Sequence, residues 1–204
     1  VGQQLTNAQR DAAIEFALNN TRHTMLHEIG HLLVDQLDLP VLGREEDAVD
    51  MLATLLMLNT GTEADVIGLQ DTIDGWRYSE SFRPSRGYVN SAFYGAHSLD
   101  IQRSYAMACL MVGSDYERHT QYATRISLPI DRQKSCAEDY RIAERGWSSV
   151  LEPHLREGAP ASDVTVQYRD TRGQYPIAQA LLEQSLVLET YADWVAKNYV
   201  LPHP

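Results

Sequence analysis

The sequence predicts a mainly α-helical fold with at most a small β element. Three observations carry this. Apolar residues recur at three- and four-residue spacing through most of the 204 residues. Those stretches stop at Leu39-Pro40, at Asn59 to Gly61 and at Gly113, residues that end helices. Only Val164 to Tyr168 alternates as a strand does.

The elements follow in order. Thr6 and Gln9 fit a capping box that starts a long first helix. Its apolar residues are Ile14, Ala17 and Leu18, then Leu26, Ile29, Leu33 and Val34. The polar stretch Asn19 to Thr24 predicts a break or bend. A turn closed by Gly43 leads to a second helix over 44–58, and the short connection predicts an antiparallel hairpin. A third helix covers 64–77. Residues 79–97 form a loop, long enough to suggest a functional one. Leu99 to Val112 reads as a buried helix with Ile101, Tyr105, Ala108 and Val112 on one face. Helices over 115–125 and 131–155 follow, then a linker over 156–163, the strand, and a helix over 176–199. Residues 1–155 are expected to form the helical domain, with 156–204 packed on it as linker, strand and C-terminal helix.

Hydrophobic residues make up 44% and charged residues 22%, which is ordinary globular usage. A net charge of -11 argues against nucleic acid, whose phosphates need clustered Lys and Arg. No apolar run approaches the roughly 20 residues of a membrane span. The chain begins at Val1 rather than Met, so a segment upstream is expected to have been removed or left out. Cys109 and Cys136 lack the CxxC spacing of a thiolate metal site. Composition leaves one disulfide and two buried thiols equally open.

The segment His27-Glu28-Ile29-Gly30-His31 carries the chemistry. Two histidines four apart project from one helix face, where one zinc ion can touch both rings. Zinc acidifies water, and Glu28 between the ligands can take the proton. Leu26, Ile29, Leu32 and Leu33 are expected to bury the rest of the helix, and Gly30 keeps its surface low for a neighbour. A third ligand is expected from Arg44 to Asp50, where Glu46 and Asp50 share a face. Glu46 is favoured by its reach, with Asp50 bonded to the far nitrogen of a ligand histidine. In a straight hairpin, however, His31 lies level with Asp50, and Glu46 sits about 6 Å off. Either the first helix ends early, or the helices cross at an angle, or Asp50 is the ligand. Macrodipole compensation explains Glu45, Glu46 and Asp47 equally well. His97 is the candidate donor to a developing oxyanion, with Tyr94 next. His23, one turn before His27, could face the same cleft. Asp100 and Arg103 are expected to pair locally.

The blocks HEIGHLLVDQLDLPVLGREEDAVDMLA, AHSLDIQRSYAMACLMVGS, LPIDRQKSCAEDY and WSSVLEPHL resemble a bacterial family described as putative metallopeptidases, grouped with the gluzincin-type zincins. The resemblance covers most of the chain and implies a zincin-like active-site helix pair. It implies Zn2+ on His27, His31 and Glu46, Glu28 as general base, and a peptide or protein substrate. It further implies that Cys109 and Cys136 pair and that the protein is exported. Family chains often continue past a region like 199–204 into a segment with its own cysteines. Gluzincin peptidases align substrate on the edge of a sheet before the HExxH helix, whereas the 26 residues before His27 read as helix. The second reading is therefore a zinc-binding module with weak or no turnover.

Overall fold

The computed structural model describes residues 5–82, 90–157, 166–168 and 176–201. The helices are α1 (Asn7–Gln36), α2 (Glu45–Thr60), α3 (Glu63–Ser81), α4 (Ser91–Tyr94), α5 (Asp100–Ser114), α6 (Tyr116–Arg125), α7 (Ile130–Leu151), α8 (Pro176–Ser185) and α9 (Val187–Asn198). The fold is mainly α, and among the described residues there is no strand. Residues 166–168 of the expected strand have no regular structure, and 164 and 165 lie outside the described residues. One isolated antiparallel bridge joins Leu155 to Tyr199.

α1 starts on the expected capping box, with Gln9 N–H donating to Thr6 Oγ1 at 3.2 Å. The break expected over Asn19 to Thr24 does not occur, because those polar groups find partners that keep the helix intact. Asn19 Nδ2 donates to Asp71 Oδ2 of α3 at 2.7 Å. Asn20 Nδ2 donates to the carbonyl of Phe16 at 2.8 Å, and the Thr21 and Thr24 hydroxyls donate back to carbonyls one turn earlier. The stretch is thus a polar seam between two helices rather than a stop. Leu32 corrects another expectation, since it is 41% exposed rather than buried.

α3 runs to Ser81, past the expected 77, and α4 lies within the expected loop, of which 83–89 fall outside the described residues. The expected C-terminal helix is two helices, parted at Leu186 by a left-handed backbone (φ 53°). α9 reaches the first part of the chain through a second cluster. There Val195 and Tyr199 pack with Ile29, Leu33, Leu52 and Leu151. The main core joins Leu26 of α1, Met57 of α2, Leu69 and Ile73 of α3 and Met107 and Met111 of α5. Burial of such side chains at about 1.5–3 kcal/mol each is the main force holding the helices.

The α1–α2 register differs from that of a straight hairpin. Leu37 caps α1, Asp38 turns left-handed (φ 50°), and Leu39 N–H bonds back to the Val34 carbonyl at 3.0 Å. The connection folds back along α1 and buries Leu37 and Leu39. Across the pair, Glu46 Oε2 reaches His31 Nε2 at 3.3 Å, and Asp50 Oδ1 lies against His27 Nδ1 at 2.8 Å. The helices also touch closely: a Cβ on Gly30 would stand 2.7 Å from Val49 Cβ.

Candidate metal centre

The two helices bring His27, His31, Glu46 and Asp50 together, with His97 arriving from the segment before α5. His27 Nε2 lies 3.1 Å and His31 Nε2 3.3 Å from Glu46 Oε2, and the two Nε2 atoms are 3.2 Å apart. On the far side of each ring a carboxylate sits against Nδ1. Asp50 Oδ1 is 2.8 Å from that of His27, and Glu45 Oε1 is 2.6 Å from that of His31. A carboxylate only accepts, so each Nδ1 carries the hydrogen. Both Nε2 lone pairs then point at an anionic oxygen. With both rings neutral, three acceptors converge, an arrangement that a bound cation or a proton on one ring stabilises.

Zinc ligands at 2.0–2.1 Å in a tetrahedral set lie about 3.4 Å from one another. The three observed separations match this, and His27, His31 and Glu46 are the described residues whose donor atoms group for a metal near the motif. The charge agrees too. Glu45, Glu46 and Asp50 stand against one guanidinium, Arg103, leaving two negative charges for a divalent ion to balance. The residues present therefore fit a resident cation.

Asp50 is buried and held on two sides. Arg103 donates to it twice, Nε to Oδ2 at 2.6 Å and Nη2 to Oδ1 at 2.7 Å. Burial alone would raise the Asp50 pKa. The hydrogen bonds from His27 and Arg103 and the Arg103 charge outweigh it and bring the pKa to about 2. Asp50 is thus a carboxylate at any physiological pH. His31 is less enclosed. Its partial burial disfavours the charged ring, but Glu45 and Glu46 more than offset that and raise its pKa, as expected of a site that attracts positive charge.

A model of the family described as "Putative metallopeptidase" matches residues 2–151. The chain belongs to this family. Membership implies a metal ion in a putative metallopeptidase, and it spans every helix that contributes to the cluster. No curated protein and no solved structure matches the chain.

In this family member Glu28 is exposed and has no hydrogen-bond partner among the described residues. His97 Nε2 lies 2.9 Å from Glu46 Oε2, with its side chain about half exposed. Ser98 ties this segment to α2 by donating to Asp47 Oδ2 at 2.8 Å. Tyr94 is exposed. His23 is buried rather than facing the cleft, and its Nε2 has no partner among the described residues. Burial pushes its pKa down to about 4.

Two contacts were not expected. Glu45 holds His31 instead of merely balancing the helix dipole. Arg103 pairs with Asp50, not with Asp100, which accepts from Ser79 Oγ at 2.8 Å. The signal for Arg103 lies in the sequence: it shares a helix stripe with Met107 and Met111 at i+4 and i+8. A cation on a buried face requires a buried anion, and Asp50 among Met51 and Leu52 is its counterpart.

Proposed function

We propose that the protein is a zinc-dependent peptidase whose metal is held by His27, His31 and Glu46. The convergence of three acceptors, with both outer imidazole nitrogens on carboxylates, carries this reading. A bound zinc ion would supply Lewis-acid polarisation of a carbonyl and acidify a water molecule. Glu28 takes the proton from the attacking water as its oxygen bonds to the carbonyl carbon. It then delivers that proton to the leaving amine as the C–N bond breaks. His97, on the open side of Glu46, donates a hydrogen bond to the oxygen that gains charge. The disulfide-bonded cysteines support an exported protein, and no described helix is long and apolar enough to cross a membrane.

A second reading has its own support. No strand stands beside α1 among the described residues, so a sheet edge to align a peptide is missing there. This favours a zinc-binding module with weak turnover. Metal content measured beside cleavage of a peptide library separates the readings. Glu28→Gln should keep zinc and lose about 10²–10⁴ in turnover, whereas Glu46→Gln should lose zinc. A metal-loaded wild type that cleaves nothing supports the module, and a wild type that takes up no zinc refutes both.

A further inference from the structure

We infer that Arg103 is a positioning residue for the metal centre: it locks Asp50, and through Asp50 it aims His27 Nε2 at the ion. The inference rests on the reading of His27, His31 and Glu46 as metal ligands. Arg103 reaches the centre from α5, an element outside the ligand-bearing helix pair, and touches none of the three ligands.

The geometry is a relay of fixed planes. The Arg103 guanidinium lies over the Trp76 ring of α3, 3.7 Å from its centroid. That stacking sets the plane of the guanidinium. Its two-pronged contact then sets the plane of the Asp50 carboxylate, because both oxygens are engaged at 2.6 and 2.7 Å. Asp50 Oδ1 is shared with His27 Nδ1 at 2.8 Å. An imidazole is rigid, so fixing the direction of Nδ1–H fixes that of Nε2, which stands 3.1 Å from Glu46 Oε2. All of Arg103, Asp50 and His27 are buried, so water does not compete for these bonds.

Stability alone explains this arrangement poorly. A buried ion pair gains little over well-packed apolar residues of the same volume, and the surrounding helix faces are rich in Met and Leu. A buried pair that orients a ligand has a use that an apolar pair lacks. His31 offers the contrast. Its carboxylate partner Glu45 is half-exposed, so the centre has one rigid ligand and one adaptable one.

The test is zinc affinity, read by competition with a chromophoric chelator on the full chain. Arg103→Met should weaken zinc binding by about 10- to 100-fold, the usual effect of removing a group that orients a ligand. Arg103→Lys keeps the charge without the fork and should recover only part of that loss. In an Asp50→Asn background, Arg103→Met should add little, because the relay is already cut. Met107→Ala, one turn along α5 in the core, is the control for general loosening and should leave zinc affinity unchanged. Unchanged affinity in the Arg103 variants beside a zinc-binding wild type overturns the inference alone. An equal loss in Met107→Ala overturns it as well. A wild type that takes up no zinc overturns the metal reading and this inference together. If Arg103→Met does not fold, Arg103→Lys decides: weaker zinc supports the relay, and wild-type affinity refutes it.

Discussion

His23 shows how one side chain can set the acid sensitivity of the metal-free protein. It is buried and neutral in the fold, with its pKa lowered to about 4 mainly by desolvation; Asp50 opposes that shift. The unfolded chain takes up a proton near the ordinary value of 6.5. Between those values the unfolded state binds the extra proton, so stability falls as pH drops from about 6.5 toward 4. The full effect is about 3 kcal/mol. Asp50 contributes in the same direction but in a lower window: its stabilisation is complete above 3.8 and is lost as pH falls toward about 2. His119, also lowered by burial, adds to the His23 trend. Urea midpoints of EDTA-treated protein across pH 4 to 7 should show the slope, and His23→Leu should flatten it. A variant as steep as the wild type would assign the slope elsewhere.

At the scale of helices, two glycines should respond with opposite sign. Gly→Ala in an exposed helix interior stabilises by up to about 1 kcal/mol. Gly146 of α7 has open space where a Cβ would go, so Gly146→Ala should raise the urea midpoint. Gly30→Ala meets Val49 at 2.7 Å. It should lower stability by about 1–3 kcal/mol through overpacking, and lower zinc affinity by pushing Glu46 and Asp50 away. A stabilised Gly30→Ala would mean that α1 and α2 do not touch there. The pair also marks what a sequence can carry about elements. The i, i+4 spacing of His27 with His31, and of Glu46 with Asp50, is local, so it was legible, as were most helix bounds. How α1 and α2 meet was not, because it depends on tertiary contacts such as Gly30 against Val49. Continuity through Asn19 to Thr24 was hidden for the same reason: Asn19 looks like a helix breaker until Asp71 stands opposite it. Arg103 was misassigned because i, i+3 spacing offered Asp100, and only tertiary packing supplies Asp50.

For the molecule as a whole, the Cys109–Cys136 bridge links α5 to α7 with Sγ atoms 2.01 Å apart and closes a loop of 27 residues. In the chain-entropy model a loop of that size is worth about 3–4 kcal/mol. That stabilisation acts on the unfolded chain. The histidine–carboxylate cluster instead sits where α1, α2 and α5 meet, beside the apolar core around Leu26 and Met57. Breaking the bridge should therefore lower global stability while leaving the centre assembled. Denatured, non-reduced protein from an oxidising compartment should give no titratable thiol. The Cys109→Ala, Cys136→Ala double variant should unfold at lower urea and still bind zinc with wild-type affinity at moderate temperature. Zinc loss from that folded variant would show that the α5–α7 tie also holds Arg103 in place. In that event Arg103→Lys should add no further loss to the double variant, since the relay it tests would already be slack.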